Sequence, residues 1–164
     1  MIEEKLKELG IDIPTPPSPA GSYIPVVTTG NLAFVSGQIP MKEGKVIFEG
    51  KVPENQSVDS AREAAKICII NGLAQLKINL GSLDKITKFV RISGFVNSSP
   101  DFAEQPKVIN AASDLLVEVF GDMAKHSRIA VGVANLPLNS TVEIDMIVES
   151  VSYTHLTLPT TPYV

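Results

Sequence analysis

A single cysteine, Cys68, excludes an internal disulfide and accords with a reducing compartment. It stands among Ile67, Ile69 and Ile70 in a helical segment and reads as a buried packing residue. With only two histidines, His126 and His155, and no paired-cysteine spacing, the chain has little material for a metal site or a histidine-based triad. It also lacks a phosphate-cradling glycine loop and a G-x-S-x-G elbow. No apolar run approaches the roughly 18 to 20 residues that span a bilayer. The net charge of -4 gives no general attraction to nucleic acid or anionic lipid, and no local basic patch is visible. A histidine-based metal site and membrane contact are therefore not expected, and a nucleic-acid partner is disfavoured. The first ten residues alternate Glu and Lys with Ile2, Leu6 and Leu9, as in a short amphipathic helix rather than a signal peptide, so a cytoplasmic location is expected.

What remains, 164 residues at 44% hydrophobic and 20% charged, suffices for one domain with a substantial core. Residues 1–16 read as an N-terminal helix and a Pro-rich connector, Pro14, Pro16, Pro17 and Pro19 keeping Ile13 to Ala20 extended. Residues 17–151 read as the folded domain. Residues 152–164 break with the preceding composition, being rich in Thr and Pro, and read as a non-native or disordered tail.

Within the domain, Val26-Val27-Thr28 and Leu32 to Ser36 flank Thr29-Gly30-Asn31, a hairpin signal. Met41 to Pro53 carries Gly44 and Gly50 around Val46-Ile47-Phe48, as in a second small hairpin. Ser57 or Ser60 can cap a helix running to about Leu80, with Ala61, Ala64, Cys68, Leu73 and Leu76 on its buried face and Gly81 as terminator. Ile86 to Val96 reads as a strand with Val90, Ile92 and Val96 in one row and Phe89, Arg91, Ser93 and Phe95 in the other. A second helix spans about Asp101 or Gln105 to Phe120. Two last strands, near Ser127 to Ala134 and Thr141 to Val151, are joined by a short link containing Asn135-Leu136-Pro137-Leu138-Asn139 and are expected to pair. The order predicts an α+β layer with both long helices on one face of a mixed sheet.

Two charges stand out in those last strands. Arg128, Ala130, Gly132 and Ala134 share one nearly bare face, which permits close approach of a ligand or a neighbouring chain. Arg128 is either a strand-end ion pair or a fork for a substrate carboxylate. Glu143 is either an interface residue paired with a lysine or a functional carboxylate. If Val142, Ile144, Met146 and Val148 meet the helices, Glu143 and Asp145 lie on the uncovered face, and the same logic leaves the face of Arg128 uncovered, to be closed by homo-oligomerisation. Asp145 reads as structural, Asn110 as a surface amide of the second helix, and His126 as a surface residue.

The chain resembles the reactive-intermediate deaminase (Rid, YjgF-like) family, historically labelled endoribonuclease L-PSP, over about Pro17 to Ser150. The resemblance is carried by Pro19-Ala20-Gly21-Ser22-Tyr23, Gly30-Asn31, Val35-Ser36-Gly37-Gln38-Ile39-Pro40, Asn110, Arg128, Val133-Ala134-Asn135-Leu136-Pro137 and Val142-Glu143-Ile144. It implies a chorismate-mutase-like fold, a homotrimer whose sheets form a central barrel, and a pocket at each subunit boundary. It also implies Arg128 as the carboxylate-binding arginine, Glu143 as the glutamate that orients water, and Tyr23, Ser36 and Asn110 as pocket residues. Ala130 replaces the cysteine common two positions after the arginine. The N-terminal helix, the longer region after Pro40 and Gly132-Val133 set this chain in a longer, less characterised branch. The implied reaction is hydrolysis of 2-imino acids or their enamine tautomers to 2-keto acids and ammonia, without metal or cofactor. A non-catalytic small-carboxylate binder or chaperone-like homo-oligomer is the alternative. A ribonuclease is disfavoured by the acidic charge and the absence of a His/Lys constellation suited to phosphodiester cleavage.

Overall fold

A computed structural model describes residues 1–16 and 22–151, which leaves the proposed tail and part of the Pro-rich connector outside the described residues. The elements are α1 (Ile2–Glu8), β1 (Val26–Thr29), β2 (Leu32–Gln38), β3 (Met41–Lys42), β4 (Lys45–Val46), α2 (Val58–Leu80), β5 (Ile86–Asn97), α3 (Gln105–Phe120), β6 (Ser127–Val133) and β7 (Val142–Ser150). The expected α+β architecture is present. A five-stranded mixed sheet in the order β1-β2-β7-β5-β6 carries α2 and α3 on one face, and β3 and β4 form a separate small hairpin.

Local chemistry fixes the long helices. The hydroxyl of Ser57 accepts from the backbone N–H of Ser60 at 3.0 Å and opens α2. At its other end Gly81 takes φ 89° and donates its N–H to the Lys77 carbonyl, which stops the helix. Ala61, Ala64, Ala65, Cys68, Leu73 and Leu76 of α2 are buried against the sheet, and Cys68 is packed as expected, its sulfur 3.6 Å from the Val142 carbonyl. In α3 the buried row is Val108, Ile109, Ala112, Leu116 and Val119. Leu6 of α1, 2% exposed, joins the same core. No described helix is long and apolar enough to cross a membrane.

The structure corrects three expectations. First, β6 and β7 do not pair. Strand β5 lies between them, antiparallel to β7 and parallel to β6, with α3 as the crossover between the parallel pair. Second, Phe89 is fully buried and packs on Phe120 with ring centroids 4.8 Å apart. An irregularity in β5 between Phe89 and Arg91 shifts the register there, so Phe89 turns inward while Arg91 stays on the outer row.

The third correction concerns the face of Arg128. Ile92, buried beneath the helices, is the partner of Arg128 on one side and of Met146 on the other, so all three side chains share the helix side. Phe95 is likewise the partner of Val131 and Glu143, which places those side chains on the opposite, open side. Arg128 and Glu143 therefore occupy opposite faces of the sheet. The open face carries Val27, Phe34, Ile129 and Val131, all exposed, together with Glu143 and Asp145.

Candidate functional site

The candidate residues divide into two half-sites. On the helix side of the edge strand β6, Arg128 reaches α3: its Nη1 donates to Asn110 Oδ1 at 2.8 Å and to Ser113 Oγ at 3.2 Å. Nε and Nη2 make no hydrogen bond among the described residues, and no described carboxylate forms an ion pair with this guanidinium. One edge of the fork thus stays open in a partly exposed setting, which is the arrangement a carboxylate would engage in two parallel bonds. A cavity of about 260 Å³ beside it is lined by Ser113, Asp114, Val117, Lys125, His126 and Arg128.

The other half-site lies toward the opposite edge, around β1, β2 and β7. Tyr23 precedes β1 and is exposed. Ser36 sits where β2 departs from regular pairing with β7, between Val35 and Gln38. Its Oγ donates to the Ile24 carbonyl at 3.0 Å and its N–H donates to the Pro25 carbonyl at 2.8 Å. Those bonds tie the segment bearing Tyr23 to the strand that bears Ser36. The carboxylate of Glu143 lies over the next residue, Gly37, so closely that a Cβ there would stand 2.3 Å from Oε2. Glycine at 37 is required for that approach.

Electrostatics distinguish Glu143 from an ordinary surface carboxylate. Partial burial pushes its pKa up, and the neighbouring Asp145 two residues along the strand adds a push in the same direction. No described lysine or arginine pairs with it. Asp145, expected to be structural, thus bears on the candidate site through its charge.

Within one chain the structure joins Asn110 to Arg128 and brings Glu143 over Gly37 next to Ser36, with Tyr23 on the segment tied to Ser36, but it keeps Arg128 and Glu143 on different faces of the sheet. Ser113 and His126 were not singled out as site residues from the sequence. His126, read as a surface residue, is half-buried, with Nε2 2.9 Å from Ser113 Oγ and Nδ1 2.6 Å from the Ala124 carbonyl. The available signal was spacing: Asn110 and Ser113 are three apart on a helix, while His126 and Arg128 are two apart in extended chain. A larger cavity of about 470 Å³, between Lys51, Ser98, Phe102, Gln105 and Gly132, contains none of the candidate residues. Among the described residues no three His, Cys, Asp or Glu side chains gather as metal ligands would.

Comparison with known proteins places this architecture. The profile of the family described as "YjgF/chorismate_mutase-like, putative endoribonuclease" matches residues 3–150. The crystal structure of the protein Atu1372 from Agrobacterium tumefaciens superposes with a TM-score of 0.86 at 48% identity, covering 92% of each chain. Protein TCP17 of Trypanosoma cruzi is 39% identical over 90% of this chain and 93% of its own length. A 2-iminobutanoate/2-iminopropanoate deaminase of Dermatophagoides farinae is 32% identical over 84% of this chain and 93% of its own length. The chain belongs to the YjgF/chorismate mutase-like family, also called Rid.

Proposed function

We propose that this protein hydrolyses reactive 2-imino acids, or their enamine tautomers, to 2-keto acids and ammonia, at sites completed where two copies of the chain meet. The observation that carries the reading is the division of the candidate residues: an unpaired guanidinium with Asn110 at one edge, an unpaired carboxylate with Tyr23 and Ser36 toward the other. Two different patches of one chain, each holding half of a charge pair, suit a head-to-tail contact, which closes into a ring when repeated. A homotrimer of this kind also covers the apolar open face of Val27, Phe34, Ile129 and Val131. The relative from Dermatophagoides farinae, named for deamination of 2-iminobutanoate and 2-iminopropanoate, supports the substrate class.

In this mechanism the open edge of Arg128 holds the substrate carboxylate, with Asn110 fixing the guanidinium from behind. Glu143 of a neighbouring copy holds a water against the C2 carbon of the protonated imine. Its raised pKa suits a group that must take a proton and return it. Water adds to C2 as Glu143 accepts its proton, giving a carbinolamine. That proton passes to the amine; Glu143 then takes the hydroxyl proton as the C–N bond breaks, so ammonia leaves and C2 becomes a ketone. The protonated imine is already electrophilic, so positioning supplies much of the acceleration. Tyr23 and Ser36 line the water side of the pocket. Cytoplasmic residence belongs to the same reading, in keeping with the free, buried Cys68.

The test is a coupled assay in which a pyridoxal-phosphate dehydratase generates the imine and ammonia release is followed. Parent protein should accelerate release, whereas Arg128→Ala and Glu143→Gln should not. Binding of a 2-keto acid that survives in Glu143→Gln, with no acceleration by the parent protein, would favour the non-catalytic binder instead.

A further inference from the structure

We infer that Ser113 and His126 form a proton-ordered chain that positions the guanidinium of Arg128, an inference that rests on the proposed role of Arg128 in gripping a carboxylate. The order of protons follows from the acceptors. The Ala124 carbonyl can only accept, so the 2.6 Å contact requires a proton on His126 Nδ1. In the neutral ring, Nε2 is then a bare acceptor and takes the hydroxyl proton of Ser113 at 2.9 Å. With its proton so committed, Ser113 Oγ presents lone pairs to Arg128 Nη1 at 3.2 Å. The chain runs from guanidinium to hydroxyl to imidazole to backbone carbonyl, and each donor meets an acceptor.

The consequence lies in what the guanidinium has left. Nη1 is held by Ser113 and Asn110, two acceptors one helical turn apart on α3, and this fixes the plane of the group. The edge formed by Nε and Nη2 is thereby turned away from α3 and remains available to a ligand. The other charged groups at this cleft are Asp114 from α3 and Lys125, which forms an ion pair with Asp122 at 3.4 Å. Neither is hydrogen-bonded to Arg128, so orientation falls to the neutral chain. Ser113 and His126 act through Arg128 and are positioning residues.

Two measurements on the full chain decide the matter. Long-range 15N–1H correlation of the unliganded protein at mildly alkaline pH should show the His126 ring protonated at Nδ1, with a shift at Nε2 in Ser113→Ala. The Nε2–H tautomer would overturn the inference irrespective of any activity. Calorimetric binding of 2-oxobutanoate gives the second readout. Ser113→Ala and His126→Phe should weaken it about threefold to tenfold, the scale of one ordinary intramolecular hydrogen bond. Ser113→Thr and His126→Gln, which restore the hydroxyl and the Nε2-like acceptor, should bind as the parent does. If Arg128→Ala abolishes binding while Ser113→Ala and His126→Phe leave it unchanged, the positioning chain is wrong and the proposed function stands. If Arg128→Ala itself binds like the parent, the proposed function fails.

Discussion

Glu143 occupies the space that a side chain would need at Gly37: its Oε2 lies 2.3 Å, and its Cδ 2.9 Å, from where a Cβ would stand. The obstruction is the far end of a flexible side chain rather than backbone, so Gly37→Ala should fold with a urea midpoint close to the parent's while displacing the carboxylate. Ammonia release from freshly generated imine should fall by about tenfold or more, the scale on which small misplacements of a reacting group are felt. Unaltered turnover in a folded Gly37→Ala protein would show that the position of Glu143 is immaterial.

Glu143 should also cost the fold stability at neutral pH. Burial, and then Asp145, raise its pKa from the ordinary 4.5, so the native state retains this proton to higher pH than the unfolded chain does. Its contribution to stability therefore declines as pH rises from about 4.5 through the folded value and stays low above it. Glu143→Gln removes the ionisation. The variant should match or exceed the parent in urea midpoint at pH 7, and the difference should shrink on acidification. A markedly less stable Glu143→Gln at pH 7 would mean the carboxylate is held by favourable contacts.

Leu6 is the buried anchor of the N-terminal helix, with Ile2 and Leu9 packed beside it on the core. Leu6 is 2% exposed, and Leu6→Ala should lower unfolding free energy by about 2 to 5 kcal/mol, the usual range for a buried leucine truncation. Denaturant unfolding checks this, and a change within error would show that α1 docks loosely.

Much of this fold was legible because its signals are local. The apolar spacing of Val108, Ala112, Leu116 and Val119 describes a helix face whatever packs on it, and Ser57 and Gly81 mark the ends of α2 by capping chemistry alone. What was not legible depended on register between distant segments. The short link from β6 to β7 favoured a hairpin, and nothing near it tells that β5 intervenes. Since Ile92 decides which way Arg128 points, the side of the sheet bearing the guanidinium could not be read from strand alternation within β6 alone. Strict alternation puts Phe89 in one row with Arg91 for a similar reason, because it does not register the irregular step in β5 that reverses the parity. Ser36, Asn110, Arg128 and Glu143 were singled out as candidate residues, but their division between two half-sites is a property of the sheet order. His126 was read as exposed because its partner Ser113 is brought to it by the α3–β6 crossover.

The most direct test of a site shared between copies mixes two inactive proteins. Arg128→Ala and Glu143→Gln, unfolded and refolded together in equal amounts, should assemble at random. A site drawing its guanidinium from one chain and its carboxylate from the next is then intact in roughly a quarter of interfaces, as head-to-tail assembly dictates. About a quarter of parental ammonia release should return, although neither variant alone shows any. No recovery in mixed oligomers of confirmed composition would contradict the account, because it would place both groups of each working site within one chain.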